Sequence, residues 1–118
     1  MQLINYNKRR VSFLIGKKNI FLEEDSVNPS IVLTHEDMID GKLYDFIAVL
    51  QTSLDNTSYK QEITARLNDE TIGINGDNAN LMSVFSGQCV KGDTLSISSY
   101  KTGGTYRTFY TRVVLIPE

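Results

Sequence analysis

The sequence is poor in the residues that usually mark a catalytic, metal or disulfide site. It contains no tryptophan, one histidine, one cysteine and two prolines. The single Cys89 cannot form an internal disulfide, and its alternating neighbours predict a small buried hydrophobic side chain rather than a reactive thiol. The single His35 excludes a metal site built from several histidines, and no Gly-x-Ser-x-Gly motif accompanies it. We therefore predict a protein that is not an enzyme, with no catalytic residue, no metal and no cofactor.

Neither an excess of positive charge nor a long apolar run is present. Lys and Arg together number 12 against 14 Asp and Glu, a formal net charge of −2, and residues 8–10 are the only basic cluster. We therefore predict no nucleic-acid partner. No apolar run approaches the length of a membrane span, and the first residues lack the charged start and apolar stretch of a signal peptide. We expect synthesis in a cytoplasm, with no membrane partner.

Period-two alternation, interrupted by turn residues, is the dominant pattern. The length of 118 residues is typical of one domain. The pattern predicts an all-β, antiparallel two-sheet sandwich over residues 9–118, preceded by an arm or particle anchor at 1–8. The predicted strands lie at residues 9–15, 20–23, 31–33, 43–52, 60–68, 71–74, 81–90, 94–100 and 106–116.

Three local features need a choice between alternatives. Residues 60–68 fit either a helical face or a strand, and we predict a strand because all their neighbours are strands. Thr34 with Asp37 resembles a helix cap and predicts one helical turn before Gly41. Asn75–Gly76 predicts the tight turn of a hairpin, rather than a calcium loop.

Two strands are apolar on both faces, whereas an ordinary sandwich strand buries one face and exposes the other. These are the strand at 43–52 and the last strand, 106–116. The second face needs a cover, and the loops are short and polar, so another copy of the subunit is the preferred cover. The alternative is a strand buried on both sides beneath residues 16–41. The candidate interface residues are Leu43, Tyr44, Ile47, Val49, Phe109, Val113 and Leu115.

Four segments occur in an order that resembles a known fold family. They are residues 41–46 (GKLYDF), 64–72 (TARLNDETI), 90–97 (VKGDTLSI) and 109–118 (FYTRVVLIPE). Together they resemble the globular-head jelly roll of the complement and tumour-necrosis-factor type, over about two thirds of the chain. The resemblance implies a ten-stranded jelly roll that assembles as a homotrimer and acts in recognition rather than catalysis.

A jelly roll of this kind without a stalk resembles the small jelly rolls of bacteriophage particles. These serve as capsid auxiliary or decoration proteins, head fibres or fibre tips. The resemblance implies a structural protein located in the virion, with other virion proteins as partners. The alternative is a receptor- or carbohydrate-binding module that recognises a host-surface glycan. Its candidate ligand-facing loop carries Tyr100, Tyr106 and Tyr110, although core packing is the more common use of such residues.

Overall fold

A computed structural model of the chain describes residues 18–118, and every regular element within them is a β-strand. The predicted arm at 1–8 and the predicted strand at 9–15 lie outside these residues. The eight strands are β1 (Ile20–Glu24), β2 (Ser30–Val32), β3 (Tyr44–Leu54), β4 (Gln61–Leu67), β5 (Glu70–Asn78), β6 (Asn80–Cys89), β7 (Thr94–Lys101) and β8 (Tyr106–Pro117).

The strands form two four-stranded sheets in which every pairing is antiparallel. The first sheet has the order β1-β8-β3-β6, and the second has the order β2-β7-β4-β5. Only the β4–β5 connection joins two strands of one sheet, whereas every other connection between these eight strands crosses to the opposite sheet. The predicted antiparallel two-sheet sandwich is therefore confirmed.

The core lies between the sheets because alternate residues of each strand point inward. On β3 the inward residues include Tyr44, Phe46 and Leu50, all essentially inaccessible to solvent. They belong to one cluster with Ile63 of β4 and Leu95 of β7 from the opposite sheet. Burying each such side chain contributes about 1.5–3 kcal/mol, so this cluster is the main source of stability.

The segment between β2 and β3 closes one end of the core. Leu33 and Met38 are buried there, and the Ile39 amide donates to the Tyr44 hydroxyl over 2.9 Å. The predicted helical turn is wrong. The Met38 amide donates to the His35 carbonyl, and the Asp37 amide donates to His35 Nδ1, so the chain makes a local turn instead. An imidazole caps this turn in place of the expected Thr34 hydroxyl.

A hairpin turn joins the predicted strands at 60–68 and 71–74, whereas the hairpin turn predicted at Asn75–Gly76 is absent. Asn68 and Asp69 join β4 to β5, and both have positive φ angles, 49° and 70°, as a two-residue hairpin of the primed type requires. Asn75 and Gly76 lie inside β5 instead, because that strand continues to Asn78 before the chain crosses to the first sheet. The strand chosen for residues 60–68 is confirmed as β4.

One glycine allows the sheets to approach at the β5–β6 side of the core. A Cβ atom on Gly73 would lie 2.5 Å from Cδ1 of the buried Phe85 ring. The ring therefore occupies the space that any other side chain at position 73 would need. Close packing of this kind makes even one added methyl group costly.

We predict that Gly73→Ala lowers the free energy of unfolding by about 1–3 kcal/mol, because the new methyl group overlaps the Phe85 ring. Urea denaturation followed by circular dichroism measures the change. Ser86→Ala, on the solvent side of β6, is the control. The double variant Gly73→Ala/Phe85→Leu should recover part of the loss; a single variant as stable as the unchanged chain would contradict the packing argument.

Candidate interaction surface

The outward side of the first sheet is an apolar surface. Adjacent strands place Phe21 of β1 opposite Val114 of β8, and Val114 opposite Ile47 of β3. In the next row, Val49 of β3 lies opposite Val84 of β6. We call this surface the apolar face and define it by Phe21, Ile47, Val49, Met82, Val84, Val114 and Ile116.

Several members of the apolar face are exposed to solvent to an unusual degree. Phe21 and Met82 are each 61% exposed, and Val84 is 62% exposed. A cleft of about 260 Å³ lies in the same surface, lined by Val49, Gln51, Met82, Tyr110 and Arg112. Exposed apolar side chains around a depression are typical of a site of interaction with another macromolecule.

A polar cluster lies within this surface, since Arg112 is opposite Val49 and Glu23 is opposite Arg112. The Tyr110 hydroxyl donates to Glu23, and Arg112 Nη2 lies 3.7 Å from the same carboxylate. Opposite charges therefore lie together within the surface, and their fields largely cancel. Two copies of the face could approach one another without a strong repulsion between like charges.

The outward side of the second sheet carries more small polar residues and fewer apolar ones, which are Val32, Ile74 and Tyr100. Arg66 on β4 lies opposite Ser96 on β7, and its Nη1 donates to Ser98 over 2.9 Å. Thr64 pairs with Ser98 in the next row. We call this surface the polar face and define it by Ser30, Thr64, Arg66, Thr71, Ser96 and Ser98. It has the character expected of a sheet surface in contact with water.

The structure divides the predicted interface residues between the surface and the interior. Leu43 and Ile47 are exposed, and Val49 is half-buried on the apolar face. The other four predicted residues lie in the core, which corrects their assignment to an interface: Tyr44, Phe109, Val113 and Leu115. On β8 both sets of alternate residues are apolar, so the pattern could not indicate which set points inward.

Five members of the apolar face were not predicted: Phe21, Met82, Val84, Val114 and Ile116. The criterion of two apolar faces would have found part of this set. On β6, Leu81 and Phe85 point inward while Met82 and Val84 point outward, so this strand also has apolar residues on both faces. Phe21 carried no such signal, since β1 spans only five residues.

The three predicted ligand-facing tyrosines do not share a loop surface, which corrects that prediction. Tyr100 lies on the outward side of the second sheet and Tyr110 on that of the first. Tyr106 packs against the core, edge-on to Phe109 with ring centroids 5.0 Å apart. The sequence places them within ten residues of each other, but alternation and the change of sheet direct them to three environments.

The loop after β3 is held by a carboxylate. Asp55 Oδ1 accepts from the Thr105 amide over 3.1 Å, and Oδ2 accepts from the Thr105 hydroxyl over 3.0 Å. These hydrogen bonds lower the pKa of Asp55 below its ordinary value of 3.8, and Arg107 lowers it further. Tyr59 covers the same loop, since a Cβ atom on Gly103 would lie 2.5 Å from its ring.

The sole histidine lies in a turn, and the sole cysteine lies in the interior. His35 lies in the turn described above. Cys89 is buried, as the sequence predicted, and burial, followed by the negative charges of Asp93 and Asp45, raises the pKa of its thiol to about 11. Residues 18–118 contain no group of three or more His, Cys, Asp or Glu placed to hold a metal ion. They also contain no helix long and apolar enough to cross a membrane.

Comparison with known proteins finds similar solved structures but no matching family model. No family model and no curated protein matches the chain. The chain is similar to part of the crystal structure of dimeric latent PorU from Porphyromonas gingivalis, with 7% sequence identity and a TM-score of 0.47. The match covers 86% of this chain and 13% of the PorU chain. A likeness at this level of identity and TM-score carries no functional argument.

We predict that Asp55 makes folding stability depend on pH in the acidic range. Because its pKa is lower in the folded chain, its stabilisation is complete above the unfolded value near 3.8 and is lost as the pH falls through the folded value. Asp55→Asn should therefore lower Tm at pH 7, and the difference from the unchanged chain should shrink below pH 3.8. Thermal melts at several pH values test this. Glu36→Gln, an exposed substitution, is the control; equal melts at pH 7 would contradict the assignment.

Proposed function

We propose that this chain is a non-enzymatic structural protein whose sandwich is a jelly roll and which works by self-assembly through the apolar face. The single observation that carries the proposal is the contrast between the two outer sheet surfaces. The first sheet directs seven apolar side chains outward, with Phe21, Met82 and Val84 exposed over more than half of their area. The second sheet directs three outward, Val32, Ile74 and Tyr100, among small polar residues. A sandwich that acted alone would gain nothing from the exposed apolar side chains of the first sheet.

The order of strands supports the jelly-roll assignment. A jelly roll is an eight-stranded double sheet made from two Greek keys. Here the chain passes between the sheets at every connection except β4–β5, and the first and last described strands, β1 and β8, are neighbours. The order of the four segments that resemble the globular-head family points to the same class, although that family has ten strands and residues 18–118 contain eight.

The energetics favour covering the apolar face with protein. Complete burial of a large apolar side chain contributes about 1.5–3 kcal/mol. Identical copies can each contribute the same surface around a closed symmetry axis, which satisfies every copy equally and leaves no apolar surface open. The neutral polar cluster at Glu23 and Arg112 is compatible with such packing. We propose a homotrimer, the assembly implied by the resemblance.

The location we propose is a bacteriophage particle, where the trimer serves as a capsid auxiliary, decoration or head-fibre protein. This step is supported by the resemblance to small jelly rolls of phage particles. A protein whose mechanism is assembly requires neither a metal nor a nucleophile. The partners would be further copies of this chain and other virion proteins.

We predict that the purified protein has about three times the subunit mass of 13.3 kDa in solution. Val84→Glu should dissociate it, raising the dissociation constant at least about tenfold, because a carboxylate would be forced into an apolar contact. Ile74→Glu is the matched control. Ile74 and Val84 are both β-branched strand residues that are 62% exposed, but Ile74 lies on the second sheet. Light scattering coupled to size exclusion measures the mass.

The outcome that contradicts self-assembly is a monomer at high concentration. Equal dissociation by Val84→Glu and Ile74→Glu would also contradict it, because the apolar face would then have no special role. Circular dichroism of both variants establishes that each remains folded.

The particle assignment has a separate test. We expect an antibody against this chain to label the outer surface of phage particles purified from the culture that produces it, as seen by immunogold electron microscopy. An antibody against the major capsid protein of the same particles is the positive control. Detection of the chain only in the particle-free supernatant would contradict a virion location, whatever the oligomeric state.

A further inference from the structure

A second surface, on the opposite sheet, has the features of a small-molecule site. Tyr100 of β7 lies directly opposite Glu62 of β4, and Glu62 lies opposite Gly76 of β5. A cleft of about 340 Å³ is present at this end of the polar face, lined by Lys60, Gln61, Glu62, Asp77, Tyr100 and Thr102. The cleft is shallow and open to solvent rather than enclosed.

Tyr100 provides an aromatic surface at the cleft. Its side chain is 69% exposed, on a sheet surface otherwise dominated by Ser, Thr and Arg. A ring in this position adds little to the core. Its apolar plane and polar hydroxyl suit a ligand that has both an apolar face and hydroxyl groups.

Asp77 gives a second, independent indication. The pairing of β4 with β5 shifts register between Gln61 and Glu62, and Asp77 is the extra residue of this β-bulge, with a φ of 78°. Bulges often redirect a side chain beside a binding site, and non-glycine residues at positive φ concentrate where function compensates for the strain. Glycine would adopt this conformation freely, yet the chain has a carboxylate that lines the cleft.

The surrounding backbone is held firmly. Gly76 allows β5 to approach β4 closely, because a Cβ atom there would lie 3.0 Å from the Gln61 carbonyl oxygen. At the rim, the Thr102 amide donates to the Lys60 carbonyl over 2.9 Å, and the Lys60 amide donates to the Thr102 hydroxyl over 3.0 Å. The backbone of the lining residues is therefore fixed before any ligand arrives, which reduces the entropy lost on binding.

The polar groups of the cleft match the hydroxyl groups of a sugar. Glu62 and Asp77 are acceptors, and Lys60 is a donor. Gln61 points into the sandwich, where it is 2% exposed and its Nε2 donates to the Ala79 carbonyl, so it contributes to the floor of the cleft rather than to its polar surface. Two carboxylates against one ammonium group disfavour an anionic ligand.

We propose that this cleft binds a neutral saccharide, with one pyranose ring stacked on Tyr100 and its hydroxyl groups donating to Glu62 and Asp77. The site lies on the sheet opposite the apolar face, so it stays open when copies assemble through that face. The inference therefore extends the proposed function by adding a ligand, but it does not depend on the oligomeric state.

Chemical-shift titration of the ¹⁵N-labelled full chain tests the proposal with maltotriose, cellotriose, chitotriose and mannotriose as probes. We expect at least one trisaccharide to shift the amides of Asp77, Tyr100 and Thr102 in a saturable way. Tyr100→Ala should weaken that binding at least about tenfold, because the stacking surface is removed. Tyr100→Phe, which keeps the ring, should largely preserve it.

Asp77→Gly separates a binding role from a structural one. Glycine relieves the positive φ, so Tm should stay the same or rise, while the affinity for the saccharide should fall at least about tenfold because the carboxylate is lost. Ile74→Ala, on the same strand and outward side, is the matched control and should leave the affinity unchanged.

Three outcomes would overturn the proposal. They are the absence of saturable shifts with all four trisaccharides, binding that survives Tyr100→Ala and Asp77→Gly, and saturable binding of tetramethylammonium without any saccharide, which would indicate a cation site.

The Val84→Glu variant distinguishes the two proposals. If a monomeric Val84→Glu chain binds a saccharide, the binding proposal is supported independently of assembly. If the unchanged chain is already monomeric, self-assembly is contradicted, but the titration result remains valid.

Discussion

The packing of the central strand pair β3 and β8 against the opposite sheet constrains everything else in the molecule. These two strands pair along almost their whole length, and their inward side chains, including Phe46, Leu50 and Val113, are almost completely buried. Successive residues of a strand must point to opposite sides. Burying this set therefore forces Ile47, Val49 and Val114 outward, and the apolar face is a direct consequence of how the core is filled.

We propose separate roles for the two outer surfaces. The first sheet presents aliphatic and aromatic side chains whose burial between copies would stabilise the proposed assembly. The second sheet presents short polar side chains, together with one exposed ring at Tyr100 and a bulge at Asp77. Since the surfaces lie on opposite sides of the sandwich, a particle component could assemble through one and contact a saccharide through the other. This arrangement unites the structural and the glycan-binding interpretations of the sequence.

Much of the fold could be predicted because alternation is a local property. The strands containing Tyr44, Leu95 and Val113 were located to within a few residues, and Cys89 was correctly predicted to be buried. The hairpin turn was misplaced for a physical reason. Asn75–Gly76 has the composition of a tight turn, but the pairing partners of β5 keep it extended there. The two consecutive positive φ angles of a hairpin turn occur at Asn68 and Asp69 instead. Partners distant in sequence outweighed local preference.

By itself the sequence determined the class of structure and the surplus of apolar strand surface, because both follow from residue types at a period of two. Only the tertiary structure decided which side of each strand lies inside, since a two-residue period is symmetric and the opposite sheet selects the face that fills the core. Because of that selection, Tyr44 and Phe109 lie in the interior, whereas Met82 and Val84 lie on the outer surface. It also separated Tyr100 from Tyr110 and brought Tyr100 beside Glu62, since contacts between distant segments arise from strand pairing.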